Sequence, residues 1–173
     1  LDGILAIKLN LKSHFGAALD NVCDAVAHII FVIAIGVHYE MTFSIVSLIA
    51  VTVILLRVTS RLTASEKISV GSPTNELMRH LLLVLLTAQY FEFAPDSLLI
   101  TVALLNSISM LSPFPIPYLI RSLTKSATAI GFVNASLLVA WLIPTTSFII
   151  ALCFFTTHLY SLISGSARWF QRA

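Results

Sequence analysis

Two aspartates inside an apolar stretch are the residues of this sequence best placed to do chemistry. Asp20 and Asp24 lie in the run from His14 to Val37, where an ionised carboxylate that enters a membrane costs about 2.5–3.5 kcal/mol. Their spacing of four residues puts both on one face of a helix, with about 6 Å between them. Two carboxylates this close repel each other unless they share a proton or a cation.

The glycine one turn before this pair favours a ligand site on the same face. Gly16 leaves a slot without a side chain, through which a ligand could approach the backbone. A hard divalent cation would resolve the repulsion between Asp20 and Asp24, as in sites where magnesium also binds the phosphates of a substrate. A proton relay, or a structural pair lining a wet cavity, is the alternative, and the spacing alone does not decide between them.

The composition determines which class of protein must position these carboxylates. Of the 173 residues, 58% are hydrophobic and 10% are charged, and the mean hydropathy is +0.96. A soluble domain is about half apolar and a quarter charged, and a chain of this size cannot bury so much apolar surface in one core. The composition therefore excludes a soluble enzyme, a disordered tail and a nucleic-acid-binding module, and it predicts an integral membrane protein.

The apolar pattern predicts an all-α, polytopic bundle of six transmembrane helices that forms a single domain over residues 1–173. Each span needs about 20 mostly apolar residues. The last apolar stretch is too long for one span, and Pro144 with the polar residues after it divides the stretch into two. The predicted helices are 14–37, 41–60, 76–93, 95–111, 127–143 and 145–164.

The basic residues predict the orientation of this bundle, because Lys and Arg concentrate in cytoplasmic loops. All ten fall on one side of a six-helix serpentine, which gives an N-in, C-in topology. The turns on the opposite side hold acidic and uncharged residues. The ten basic residues are Lys8, Lys12, Arg57, Arg61, Lys67, Arg79, Arg121, Lys125, Arg168 and Arg172.

The stretch that contains the two aspartates resembles the motif of the CDP-alcohol phosphatidyltransferases, D-x2-D-G-x2-A-R-x8-G-x3-D-x3-D. From Asp2 the chain reads D-G-I-L-A-I-K-L-N-L-K-S-H-F-G-A-A-L-D-N-V-C-D, which agrees at six of the seven fixed positions it contains. The first Asp of the motif would precede Leu1, so we expect the chain to be N-terminally incomplete. Ile7 stands where the motif has an Arg that helps to hold the CDP-lipid, and a catalytically inactive homologue is therefore an alternative.

The resemblance implies a reaction and roles for individual residues. The reaction is transfer of a phosphatidyl group from CDP-diacylglycerol to the hydroxyl of a small alcohol, with release of CMP and two bound Mg²⁺ or Mn²⁺ ions. Asp24 would also take the proton of the acceptor hydroxyl. By motif position, the implied metal ligands are Asp2, Asp20 and Asp24, and the implied contacts to the CDP-lipid are Gly3, Ser13 and Gly16.

A second stretch is similar to the bacterial and archaeal phosphatidylserine synthase branch of this family. Residues 55–62 read L-L-R-V-T-S-R-L and residues 71–75 read G-S-P-T-N, which match the branch patterns L-R-x-A-R-F-N and G-x-P-[ST]-P in part. The expected number of helices, six in this sequence and about two more upstream, also favours this branch. Serine is therefore the expected acceptor, and inositol phosphate, glycerol phosphate and choline are alternatives.

Three arginines on the predicted cytoplasmic side are candidates to bind the acceptor. Arg57, Arg61 and Arg121 could bind its carboxylate or phosphate. The simpler interpretation is that their side chains reach the phosphates of membrane lipids and anchor the helix ends.

The expected partners are membrane lipids, CDP-diacylglycerol and an alcohol, without nucleic acid, and a second copy of the chain is a candidate partner in a homodimer. The resemblance implies the inner (plasma) membrane of a bacterium, with the active site facing the cytoplasm. An ion-coupled transporter that uses the aspartate pair is a further alternative, but it leaves the Asp2-Gly3 part of the motif unexplained.

Overall fold

The computed structural model describes residues 13–39, 41–63, 73–112 and 127–171, and within these segments every regular element is a helix. The prediction of an all-helical fold with six helices is confirmed. A single 3-10 turn, Pro144–Thr146, separates the last two. The helices are α1 (His14–His38), α2 (Met41–Thr63), α3 (Pro73–Phe91), α4 (Asp96–Leu111), α5 (Ala127–Leu142) and α6 (Ser147–Phe170).

The ends of the helices follow from local chemistry. Tyr39 ends α1 with an extended backbone. Glu92, with a left-handed φ of 53°, ends α3, and such a φ does not continue a right-handed helix. Proline lacks the amide hydrogen that a helix interior needs, so Pro144 interrupts the last apolar stretch where the sequence predicts a break.

Two helix boundaries differ from the sequence prediction in an informative way. Helix α3 begins at Pro73 rather than Glu76, because proline fits the first helical turn, where its missing amide hydrogen has no partner to lose. Helix α6 continues to Phe170, beyond residue 164. The predicted end followed the loss of apolar residues, but a helix backbone needs no apolar side chains to continue.

The helices pack in two connected groups. Helix α1 lies against α2, α2 against α4, and α4 against α3, while α3 also contacts α1 and α6. Helix α5 lies beside α6 and α3. The larger apolar core lies among the first four helices, and it includes Val32, Phe43, Ile54, Leu77, Leu81 and Leu99. A smaller core formed by Leu83, Val133, Ala140 and Phe154 joins α3, α5 and α6.

Three helical segments in the described residues are long and apolar enough to cross a membrane, namely Phe15–His38, Met41–Ser60 and Pro144–Phe170. Two shorter apolar helical segments accompany them, Asp96–Leu111 and Ile130–Leu142. Helix α3, predicted as a span, is not among the three, and it carries the polar residues Glu76, Arg79 and His80. The outer faces expose large apolar side chains such as Ile30, Phe132 and Ile163, which is the surface that a lipid bilayer would cover.

Candidate active site

The candidate site begins at the first turn of α1, which Ser13 caps. Its hydroxyl accepts a hydrogen bond from the Gly16 amide at 2.9 Å, and its carbonyl accepts one from the Ala17 amide at 3.1 Å. Such a cap satisfies backbone donors that have no partner within the helix. Ser13 therefore has a structural role in addition to the lipid contact that its motif position implies.

Gly16 lies directly above this cap and has little room for a side chain on its protein side. A Cβ atom built on Gly16 would come within 3.0 Å of the Ser13 hydroxyl oxygen. Because Gly16 has no side chain, its backbone is exposed at the helix end. This is consistent with the slot predicted from the sequence.

Asp20 and Asp24 are both exposed on the flank of α1. The side of α1 that is buried includes Ala25 and Val32, and consecutive residues of a helix point about 100° apart. Asp24 therefore projects beside the buried face rather than into it. The two carboxylates share an accessible face one to three turns from the helix start, as the sequence predicts.

The contact between α1 and α2 determines which residues of α2 are at the same height along the helix axes as these carboxylates. The Ser44 hydroxyl donates a hydrogen bond to the Gly36 carbonyl at 2.5 Å, so the two helices are antiparallel and closely packed there. A helix rises 1.5 Å per residue, so Asp24 lies about 18 Å from Gly36 along α1. Arg57 lies about 20 Å from Ser44 along α2, in the same direction because the helices are antiparallel. Arg57 is therefore close to the level of Asp24.

Arg57 is half-buried, which is unusual for a residue that only anchors a helix to lipid phosphates. Its Nε atom is buried and has no hydrogen-bond partner among the described residues. A buried guanidinium nitrogen without a partner is a donor that a bound anion could use. This arrangement favours a ligand-binding role for Arg57 over a purely lipid-facing one.

Several predicted site residues lie outside the described part of the chain. These are Asp2, Gly3, Arg121 and the side chain of Arg61. Within the described ranges, no group of three or more His, Cys, Asp or Glu side chains could hold a metal ion. Asp20 and Asp24 nevertheless have the hard oxygen donors that Mg²⁺ and Mn²⁺ prefer, and they fit part of the implied metal set.

Sequence reasoning missed a second polar cluster, which lies inside the bundle rather than at its surface. Glu76, His80, Asn106 and His158 are buried between α3, α4 and α6. The available signal was the spacing of Glu76 and His80, which puts both on one face of α3. Asn106 and His158 lie far away in sequence, and only the packing of the helices brings them to that face.

The fold and the exposed carboxylates describe a helical membrane protein with an acidic site near one end of its first described helix. The chain matches the model of the CDP-alcohol phosphatidyltransferase family over residues 1–114, which includes α1 to α4. The chain therefore belongs to the CDP-alcohol phosphatidyltransferase family. Neither the curated proteins nor the solved structures compared with the chain include a match.

Family membership settles the reaction class. The chain is a transferase of substituted phosphate groups, which moves a phosphatidyl group from a CDP-alcohol to an acceptor in phospholipid biosynthesis. The family acts in membranes and generally depends on divalent metal ions, which agrees with the apolar helices. The transporter alternative has no support from this match.

Proposed function

We propose that this protein transfers the phosphatidyl group of CDP-diacylglycerol to the hydroxyl of serine in a metal-dependent reaction that releases CMP. The observation that carries the proposal is the accessible pair of Asp20 and Asp24, four residues apart on the flank of α1. The pair follows the capped turn at Ser13 and Gly16, in the order of the family motif. The choice of serine rests on the stretch around Arg57 that resembles the phosphatidylserine synthase branch.

The metal ions would be held by Asp2, Asp20 and Asp24. Divalent ions held there would supply positive charge to offset that of the diphosphate and of the departing CMP. Asp20 and Asp24 fit this role by their donor chemistry and exposure. Asp2 enters the set by motif position.

Asp24 is proposed to act as the general base. Its carboxylate takes the proton of the acceptor hydroxyl while the hydroxyl oxygen bonds to the phosphorus of the phosphatidyl group. The phosphoanhydride bond breaks in the same displacement, and CMP leaves with the bridging oxygen. The proton and the electron pair are thus both accounted for, since the base gains the proton and the leaving group keeps the electrons.

Arg57 is proposed to bind the carboxylate of serine. It lies close to the level of Asp24 on the neighbouring helix, and its buried Nε is a donor available to an anion. Guanidinium and carboxylate groups form charge-assisted hydrogen bonds of fixed geometry. Arg61, four residues further along α2, and Arg121 are proposed as additional anion-binding groups for the acceptor.

The orientation and location are proposed from the charge pattern. The N-in, C-in topology places the start of α1 and the end of α2 on the cytoplasmic side. The active site then faces the cytoplasm, where CMP and serine are soluble, and a bacterial inner membrane is the proposed location. Labelling of single cysteines introduced at His38 and at Lys67 by a membrane-impermeant reagent tests this, since only the His38 position should react from outside intact cells.

The experiment that tests the reaction is CMP release from CDP-diacylglycerol by the full-length protein in nanodiscs. Serine, glycerol phosphate, inositol phosphate and choline are supplied in turn, with Mg²⁺, with Mn²⁺ and with a chelator. We expect release only with serine and a divalent ion. Release with a different acceptor would overturn the choice of serine and leave the family reaction intact.

Failure with every acceptor would instead support the inactive homologue, provided that CDP-diacylglycerol still binds. The Ile7→Arg variant then restores the motif residue. Recovery of CMP release in Ile7→Arg would attribute the failure to the lost lipid contact. Activity that is unchanged by the chelator would contradict the metal dependence.

A further inference from the structure

The buried polar cluster of Glu76, His80, Asn106 and His158 has no place in the proposed reaction. The four side chains are 6%, 3%, 0% and 2% exposed, and they come from α3, α4 and α6. Polar and ionisable groups inside a membrane bundle are costly and serve a function when they are retained. We therefore consider what the unused hydrogen-bonding atoms of this cluster could hold.

Asn106 lies at the centre of the cluster. Its amide nitrogen donates one hydrogen bond to the Val102 carbonyl at 2.8 Å and approaches Nδ1 of His80 at 3.3 Å. Because an amide nitrogen only donates, Nδ1 of His80 is the acceptor in this contact. Both amide hydrogens of Asn106 are thereby used, while its Oδ1 is buried without a partner among the described residues.

Glu76 supplies a second buried acceptor at the outer end of the cluster. Its Oε1 accepts a hydrogen bond from Nη1 of Arg79 at 2.7 Å, and Oε2 is buried without a partner in the described segments. Glu76 lies one turn before His80 on the same face of α3. His80 is therefore a neighbour of both residues that carry an unused oxygen, Glu76 one turn earlier on α3 and Asn106 on α4.

The histidine rings close the cluster on the side of α6. The centroids of His80 and His158 are 5.1 Å apart, and His80 meets the ring of Phe155 edge-on at 5.8 Å. The guanidinium of Arg79 lies 5.9 Å from the centroid of Phe154. Aromatic rings of α6 therefore pack against the α3 residues of the cluster, and the cluster is part of the helix interface rather than an exposed surface.

The chemistry of the two oxygens selects the ligand. Both are acceptors, so the ligand must donate hydrogen bonds, and it must be small because the surrounding side chains are buried. A metal ion would need further ligands, and the segments that the structure describes hold no group of three or more metal-ligating side chains. Water donates two hydrogen bonds and is the usual partner of buried polar atoms that the protein leaves unsatisfied.

We propose that the interface of α3, α4 and α6 is an internal water site, in which water donates hydrogen bonds to Oδ1 of Asn106 and Oε2 of Glu76. Glu76 is three residues from the first residue of α3, about 5 Å from the helix end, so the site lies near that end of α3. The Thr87–Ser147 pair lies further along the interface, beyond Leu83 on α3, which belongs to the smaller apolar core. The water site therefore occupies one half of the interface and does not cross it.

Hydroxyl-radical labelling by X-ray radiolysis tests this proposal on the full-length protein in nanodiscs. Radicals form from water, so buried side chains react only where water is bound nearby. Phe154, 7% exposed beside the cluster, and Phe43, 0% exposed in the apolar core of the first four helices, form a matched pair of buried phenylalanines. We expect Phe154 to be labelled about tenfold faster than Phe43, with His80 and His158 also labelled, because only their surroundings hold water.

The Asn106→Leu variant removes one of the two acceptors and fills its volume with an apolar side chain. Labelling of Phe154, His80 and His158 should fall to the level of Phe43. A variant that fails to fold is recognised because Phe43 then becomes labelled, and the wild-type comparison remains decisive without the variant. Equal, slow labelling of Phe154 and Phe43 in the wild type would show that the interface is dry and would overturn the proposal.

Discussion

The pair of helices α1 and α2 and the interface of α3, α4 and α6 both carry acidic side chains, but they use them in opposite ways. Asp20 and Asp24 are exposed on the flank of α1, and the interface that α1 forms with α2 is built from apolar and small residues. Glu76 is buried in the other interface together with His80. Exposure leaves the aspartates accessible from outside the bundle, as the proposed reaction requires, whereas burial commits the glutamate to contacts inside the bundle.

This difference separates the catalytic use of charge that we propose for the aspartates from the structural use of charge at Glu76. A carboxylate that must bind a metal and accept a proton has to remain reachable, and a helix flank beside a tight interface provides that. A carboxylate in the interior is tolerated because Arg79 pairs with it at 2.7 Å. Removing the charge of an aspartate on α1 should therefore lower the turnover rate. Removing the charge of Glu76 should instead lower the free energy of unfolding.

The Asp24→Asn variant should show the largest effect. Asparagine keeps the shape of the side chain but cannot take the proton of the acceptor, and loss of a general base lowers the rate by about 10²–10⁴-fold. The measurement is CMP release by the full-length protein, with the thermal unfolding temperature measured alongside. The unfolding temperature should change little, because Asp24 is exposed.

Glu92→Gln is the matched control for this change. Glu92 is exposed at the end of α3, on the opposite side of the predicted topology, so removing its charge should leave CMP release unaltered. Equal losses in Asp24→Asn and Glu92→Gln would mean that the effect is one of net charge. In that case the assignment of a base on α1 would have to be abandoned.

The Arg57→Met variant should have the next largest effect. Methionine preserves much of the apolar stem of the side chain but removes the donors, and a hydrogen bond to a charged group contributes about 1.5–3 kcal/mol. The KM for serine should therefore rise by about 10–100-fold, while the KM for CDP-diacylglycerol stays nearly constant. Equal increases in both KM values would favour the role of Arg57 as a membrane anchor.

Some of the features that distinguish these two regions could be predicted from the sequence. Apolar run lengths and Pro144 predicted the six helices, and the spacing of Asp20 and Asp24 predicted their shared face. The buried cluster was beyond sequence reasoning, because His80 and Asn106 are 26 residues apart and meet only once the helices are packed. The cap at Ser13 was also missed, since its motif position drew attention to a lipid contact.

The tight contact of α1 with α2 gives a stability prediction for the first region. A Cβ atom on Gly36 would lie 2.3 Å from the Ser47 hydroxyl oxygen and 2.9 Å from its Cβ. Gly36→Ala should therefore force the two helices apart and destabilise the protein by about 1–3 kcal/mol, as overpacking of a well-packed interface does. Thermal unfolding in detergent is the measurement.

Gly131 in α5 provides the matched control for Gly36. A Cβ atom there meets nothing within 4 Å in the described structure. Gly131→Ala should increase stability by about 0.5–1 kcal/mol, because alanine loses less conformational freedom than glycine in a helix. If Gly36→Ala and Gly131→Ala had the same sign, the close approach of α1 and α2 at Gly36 would be disproved.

The smallest predicted effect concerns the hydrogen bond between Thr87 and Ser147, which joins α3 to the start of α6. The Thr87 hydroxyl lies 3.2 Å from that of Ser147 and also donates to the Leu83 carbonyl at 2.7 Å. Thr87→Val keeps the shape of the side chain, and the Ser147 hydroxyl keeps its own bond to the Pro144 carbonyl at 2.6 Å. We expect the free energy of unfolding to fall by about 0.6 kcal/mol, the average for hydrogen bonds between membrane helices.

Thr101→Val is the control for this change. Thr101 is at an exposed position of α4, so the substitution should change stability less. A loss above about 2 kcal/mol in Thr87→Val would exceed the range for such bonds and would show that this end of the α3–α6 interface also depends on a buried polar network.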